Sequence, residues 1–382
     1  MFPRVAYFPD SFHEVNGVAH TSRNFVAFAE RRGMPLLCVR AGAKDRAFEQ
    51  RGELRTLELK RSRLAVGLEW DLHFDPMFFW YRDLISKRVR EFRPDVIHIT
   101  GPSELGMFGA YFSWKLGIPL AASWHTNVHE YAARRIGWAP QVVQRGVEAG
   151  MLEATSRFYR MAKVLYAPNP QLCALLESRT GRACHLVRRG VDTEFFSPAK
   201  RTRVVGDGTV VLGYVGRLSV EKNLALLPRI EKELRQRGMR AQWVIVGHGA
   251  EAAMLRDAFG AGAMKGVLRG ESLARAYADM DLLVFPSHTD TFGNVVLEAL
   301  ASGVPALVTP DGGPAHIVQD GVTGRMAPDE GFSEAIVEAL ADPVEFAGMR
   351  KAARAYAMSC SWDEVFERVV AAYPVGERTV TT

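Results

Sequence analysis

The chain has 382 residues, 48% of them hydrophobic and 24% charged, the profile of a soluble globular protein long enough for two domains with full cores. No apolar run reaches the length of a membrane span, and the opening MFPRVAYFPD carries neither the basic and apolar regions of a signal peptide nor a small-residue cleavage site. Cys38, Cys173, Cys184 and Cys360 stand far apart with no C-x-x-C pair, so the expectation is reduced thiols in a cytoplasmic protein. The net charge of +5 is uneven: residues 1–200 hold about 29 Lys and Arg against 20 Asp and Glu, and the remainder about 19 against 23. A basic first half can face nucleic acid, anionic lipid or an acidic substrate, with plain solvated surface as the default.

Taken in order, RVAYFPD (4–10) reads as a short strand, followed by a loop containing Val15-Asn16-Gly17-Val18 and a helical pattern to Gly33. Strand, glycine-containing loop and helix is how a nucleotide-type domain begins, although no G-x-G-x-x-G is present. MPLLCVRAG (34–42) reads as the second strand, and Arg40 to Arg63 is basic with no clear period. In 70–92, Phe78, Tyr81, Leu84, Ile85, Val89 and Phe92 form an apolar stripe at helical spacing, read as core in preference to a membrane anchor. Strands follow at 94–100 and 118–126, placing His125 and Thr126 at a strand's C-terminal end, where open α/β sheets hold ligands. A helix over 142–161, a strand at 163–170, a helix at 171–179 and, within 184–201, a last strand and a turn-rich segment complete the first half.

The charged, Pro- and Gly-containing residues 199–208 read as a linker between a first domain (1–198) and a second (209–357). The second repeats the strand–helix alternation: strands at 209–218, 241–249, 264–270, 281–287, 304–310 and 321–327, helices between and after them. The last helix, within about 358–382, is expected to return to the first domain. Two doubly wound α/β domains facing one another across a cleft is the architecture this alternation implies.

The stretch FPSHTDTFGNVVLEALASG (285–303) carries the densest chemistry. It reads as a strand end, a polar turn and a helix opening near Phe292–Gly293. Asp290 and Glu298 can both face one small molecule lying across the helix start. Between them Thr291, Phe292, Gly293, Asn294 and Val295 offer backbone N–H groups at a positive helix end, a seat for phosphate. Arg217 and Lys222, in a strand-end loop, suit a diphosphate that leaves bearing negative charge: Arg217 as a fork, Lys222 as a point charge. Gly247-His248-Gly249 reads as a tight strand–helix turn. No His or acid pair has metal-ligand spacing, and no nucleophile elbow is present.

Four ordered stretches, SWHTNVHEY (123–131), RRGVDTEFFSP (188–198), VGRLSVEKN (215–223) and FPSHTDTFGNVVLEALASGVPAL (285–307), resemble the group-1 (family four) retaining glycosyltransferases, over nearly the whole chain. Val15–Val18 resembles the α-mannosyltransferase and glycolipid-synthase branch. The resemblance implies a GT-B fold of two Rossmann-like domains, with the first taking the acceptor and the second the nucleotide sugar. It implies that Glu298 holds the ribose hydroxyls, that Arg217 and Lys222 hold the diphosphate, and that Phe292, Gly293, Asn294 and Val295 meet phosphate and sugar through their backbone. Asp290 would hold sugar hydroxyls, Gly17 would make room for the diphosphate, and His125 would lie beside the transferred sugar. The family usually has glutamate where Asp290 stands, and often a Gly-Gly pair where Asn16-Gly17 stands.

The expected activity is therefore metal-independent, cofactor-free transfer of a hexose from a nucleotide-diphosphate sugar, GDP-mannose ahead of UDP-glucose. The acceptor is a lipid or saccharide of the cell envelope, and no nucleic acid is involved. The expected location is cytoplasmic, with peripheral contact on an anionic inner membrane face as its extension. A nucleotide-sugar 2-epimerase of similar fold and a non-catalytic nucleotide-sugar-binding protein are the alternatives.

Overall fold

The computed structural model describes residues 2–14, 17–62, 65–67, 73–124, 141–187, 189–203, 209–290 and 292–374. By its contacts the chain divides into two compact units, residues 1–188 with 362–382, and residues 189–361.

In the first unit the strands are β1 (Val5–Phe8), β2 (Leu36–Gly42), β3 (Ala47–Arg51), β4 (Leu54–Lys60), the short β5 (Val66–Gly67) and β6 (His73–Phe74), β7 (Val96–Ile99), β8 (Leu120–Ser123), β9 (Val164–Ala167) and β10 (Cys184–Leu186). The helices are α1 (Gly17–Arg32), α2 (Arg82–Phe92), α3 (Glu104–Leu116), α4 (Gln141–Tyr159) and α5 (Pro170–Thr180). Among the described residues eight strands form one sheet, in the order β10-β9-β8-β7-β1-β2-β4-β3, parallel except for the edge strand β3. Both faces are buried, as continuous apolar strands require. Ala6 and Phe8 point into one apolar layer with Ile85, Phe92 and Phe112, whereas Val5 and Tyr7 point into the other with Phe25 and Phe28.

The β3–β4 hairpin is where the sequence showed no period. Leu54, Leu57 and Leu59 are buried, but β3 is a half-exposed edge made of Ala-Phe-Glu-Gln-Arg, so its polar composition hides the strand. In the 70–92 segment Phe78, Ile85, Val89 and Phe92 are buried in the core, while Phe79 and Trp80 stand exposed.

The second unit holds β11 (Val210–Val215), β12 (Ala241–Val246), β13 (Met264–Gly266), β14 (Leu282–Phe285), β15 (Ala306–Val308) and β16 (Gly324–Met326), all parallel in the order β13-β12-β11-β14-β15-β16. Around them lie α6 (Leu226–Gln236), α7 (Ala252–Phe259), α8 (Gly270–Ala278), α9 (Asn294–Ala301), α10 (Phe332–Ala341) and α11 (Pro343–Ser359). The segment 199–203 is part of this unit: Arg201 and Arg203 each pair with Asp281, at 2.8 and 2.7 Å.

The last helix, α12 (Trp362–Ala371), belongs to the first unit. Trp362 and Phe366 stack at 5.2 Å, Phe366 meets Phe25 of α1, and Asp363 pairs with Arg31 at 2.5 Å. Beyond the helix, the Tyr373 hydroxyl bonds buried His98 of β7 at 2.7 Å, and the other ring nitrogen of His98 meets Ser123 Oγ at 2.8 Å. Among the described residues no helix is long and apolar enough to cross a membrane.

Candidate active site

The four residues of β14 are all buried, and the chain leaves the sheet through Pro286–Thr289 to Asp290. Gly293 turns it into α9 with φ of +70°, a conformation that suits glycine; a Cβ there would lie 3.0 Å from Pro314 Cγ. Asp290 holds this corner. Its Oδ1 accepts the N–H groups of Gly293 (2.8 Å) and Phe292 (3.1 Å), and its Oδ2 accepts Lys222 Nζ at 2.8 Å. Burial works to raise the Asp290 pKa, but the Lys222 and Gly293 hydrogen bonds outweigh it and hold the carboxyl below the usual range.

This changes the reading of the phosphate seat. Two of the N–H groups that the sequence offers to phosphate are already capped by Asp290. Aspartate is short enough to close such a turn on its own backbone, as an Asx-type cap. Among the described residues the N–H groups of Asn294 and Val295 have no protein acceptor, as expected in a first helical turn.

Lys222 arrives from the other loop. β11 ends at Val215, and Gly216–Leu218 is braced from below: Leu218 N–H donates to His248 O at 3.0 Å and Glu251 N–H to Leu218 O at 2.9 Å. A Cβ on Gly247 would lie 1.9 Å from the Gly216 carbonyl, so the Gly247-His248-Gly249 turn serves to seat the Arg217 loop. Lys222 is 9% exposed and committed to Asp290. The Arg217 side chain is 78% exposed and lies 3.8 Å from Glu221. Thr289 Oγ1 donates to Glu221 O at 3.2 Å, a second tie between the two loops.

Glu298 lies one turn into α9 and accepts the Tyr277 hydroxyl at 2.7 Å. Desolvation pushes its pKa up to about 7, with the Tyr277 bond acting in the opposite direction. A carboxylate in this state gains from hydroxyl donors, because they supply what water no longer does.

The structure therefore gathers Lys222, Asp290, Phe292, Gly293 and Asn294 at the two strand ends, with Arg217 on the loop ahead of Lys222 and Glu298 farther along α9. Gly17 is the first residue of α1 in the first unit, and His125 lies outside the described residues. Three residues were not found from sequence. Tyr277 comes from α8 and carries no motif. His288 bridges Asp311 (2.9 Å) and Asp329 (3.0 Å), and the Asp311 hydrogen bond leads the shift of its pKa upward. Arg189 lies over the Phe292 ring. The signal for Arg189 was its place in RRGVDTEFFSP, and for His288 its place in FPSHTDTFGNVVLEALASG; Tyr277 had none. Among the described residues no group of three or more His, Cys, Asp or Glu side chains is placed to hold a metal.

Comparison with known proteins gives these loops a context. Residues 209–342 match the family described as glycosyl transferases group 1, and residues 15–195 match glycosyltransferase family 4. A GDP-mannose-dependent alpha-mannosyltransferase of Mycobacterium tuberculosis is 30% identical over 98% of both chains. One from Corynebacterium glutamicum is 29% identical over 87% of this chain and 78% of its own. Among solved structures, sucrose-phosphate synthase from Thermosynechococcus elongatus aligns with a TM-score of 0.64 at 18% identity, covering 97% of this chain and all of that one (100%). Anabaena HepE in complex with UDP and glucose aligns with a TM-score of 0.62 at 16% identity, over 97% and 100%. The two parallel α/β units are thus those of the GT-B fold. Matched along nearly its whole length, the chain belongs to the group-1, family 4 glycosyltransferases and is a glycosyltransferase enzyme.

Proposed function

We propose that this enzyme transfers a hexose from a nucleotide-diphosphate sugar, GDP-mannose ahead of UDP-glucose, to a lipid or saccharide acceptor with retention at the anomeric carbon. The second unit takes the donor and the first unit the acceptor. The observation that carries the reading is the junction of Lys222, Asp290 and the α9 start. It ties a cation and a carboxylate to a helix start whose next two N–H groups, of Asn294 and Val295, are open among the described residues, a set suited to a leaving diphosphate beside a polyhydroxyl ring. Glu298 is the residue suited to ribose hydroxyls, and Arg217 an exposed second cation. The preference for GDP-mannose is supported by the relatives that match along most of the chain, which are named GDP-mannose-dependent alpha-mannosyltransferases.

The deciding experiment is a screen of GDP-mannose and UDP-glucose against lipid and saccharide acceptors, reading acceptor-dependent release of nucleoside diphosphate. Release with GDP-mannose supports the full reading. Release with UDP-glucose alone keeps the reaction and replaces the donor. Sugar conversion without an acceptor would overturn transfer in favour of an epimerase.

A further inference from the structure

Arg189 stands in RRGVDTEFFSP, and nothing in that stretch gives it a role. In the structure its guanidinium carbon lies 4.0 Å from the centre of the Phe292 ring, and its Nη1 lies 3.5 Å from Asn294 Oδ1. It is half-buried, and desolvation lowers its pKa against the opposing pull of the Asp290 charge. Its neighbours differ from it in one respect. Lys222 is paired with Asp290, and Arg201 and Arg203 with Asp281, whereas among the described residues no carboxylate lies within ion-pair distance of Arg189.

A partly desolvated guanidinium without a counter-charge is costly, and an anion would offset that cost. Stacking on an aromatic face fixes the plane of the group, and with one Nη1 donor turned to Asn294 the remaining edge N–H donors are left for a pair of phosphate oxygens. The two residues it touches, Phe292 and Asn294, flank Gly293 at the helix start. Lys222 and Arg189 are thus both placed by Asp290 and the residues that follow it.

We propose that Arg189 is a third cation of the donor site and binds the diphosphate directly, an inference that rests on the donor reading above. Its fork complements the point charge of Lys222, so the diphosphate meets two cations of different geometry at one helix start.

The test is calorimetric titration of the intact protein with GDP and UDP, and with guanosine and uridine as phosphate-free controls. Arg189→Gln is expected to weaken binding of the diphosphate that the wild type takes by about 10- to 100-fold, the range for one charged hydrogen-bonded contact, and to leave its nucleoside unchanged. Arg189→Lys, which keeps the charge and loses the fork, is expected to fall between. Unchanged diphosphate affinity in Arg189→Gln overturns the inference, and so does an equal loss for diphosphate and nucleoside, the mark of a merely structural residue. If Lys222→Gln loses diphosphate affinity while Arg189→Gln does not, the donor reading stands and this inference alone falls. If the wild type binds neither diphosphate, the donor reading falls and the inference with it.

Discussion

Asp290 and Lys222 meet at 2.8 Å, and the same carboxylate caps the N–H groups of Phe292 and Gly293. One side chain therefore holds both the cation and the helix start that suit a donor. Without a donor, the Asp290 carboxylate is the internal anion of that corner.

The first prediction follows from this sharing. A diphosphate has to compete with Asp290 for Lys222 and for the Gly293 N–H. Asp290→Ala should therefore tighten nucleoside diphosphate binding while transfer falls by about 10²–10³. Asp290→Glu separates charge from capping, because the longer acid keeps the charge but closes the turn poorly. Tighter diphosphate binding in Asp290→Glu is expected, and calorimetry with turnover assays checks both variants.

Lys222→Ala and Arg217→Ala should each lower kcat by about 10²–10³, the scale for losing one preorganised donor. Their stabilities should differ. Lys222 is buried and its loss strands Asp290, whereas Arg217 is exposed with only a loose contact to Glu221. Thermal unfolding should accordingly show a lower Tm for Lys222→Ala and no change for Arg217→Ala.

Glu298 gives a pH dependence with a definite sign. Its folded pKa is raised to about 7 by desolvation, so burial favours the protonated form. Its contribution to stability is present below the unfolded carboxyl pKa and is lost as pH rises through about 7. Ribose hydroxyls need the ionised carboxylate as acceptor, so donor affinity should rise between pH 6 and pH 8. In Glu298→Gln this rise should vanish, read by titration at several pH values. A rise that persists in the variant would assign the titration to another group, for which His288 is placed closest in sequence to Asp290.

Transfer should survive EDTA, because Arg217, Lys222 and the helix start supply the positive charge that a divalent ion would otherwise provide. Turnover abolished by EDTA and restored by a divalent ion would contradict this.

A peripheral membrane contact of the first unit, proposed from its basic balance, can now be tested at specific side chains. Arg61 is unsuited to lipid: it is inward, bonded to Glu104 at 3.1 Å and to Glu14 at 3.2 Å. Arg88 lies over the Phe48 ring at 3.9 Å. Among the described residues the most exposed aromatics are Trp80 and Trp114, 76% and 79% exposed, with Lys115 beside Tyr111 on α3. Co-sedimentation with anionic vesicles should fall when Trp80 and Trp114 are changed to Ser, and should fall with salt. A wild-type protein that stays in the supernatant at low salt would favour a soluble saccharide acceptor.

Most of the architecture was legible because parallel strands buried on both faces are short apolar runs, and Val5–Phe8, Val96–Ile99 and Leu282–Phe285 are all of that kind. The β3–β4 hairpin was not, because an edge strand has one row of partners and tolerates Glu, Gln and Arg. At the site, chain-local relationships were readable: Asp290 to Gly293, and the Arg217–Lys222 loop. What depended on packing between distant segments was not. Tyr277 reaches Glu298 across two helices, and the capping by Asp290 depends on a Gly293 conformation that spacing alone does not reveal.

The first unit is interrupted in sequence, and this sets an order on its completion. Residues 1–188 are synthesised first, yet their core includes Trp362, Phe366, Val369 and Tyr373 from the other end of the chain. The second unit, residues 189–361, is continuous and has every one of its core residues before α12 exists. On the ribosome, the unit whose first residues emerge earlier is therefore the one whose core is completed later, a departure from strictly N-terminal-first completion. Until Tyr373 emerges, His98 in the centre of the first sheet lacks the hydroxyl it bonds in the finished enzyme.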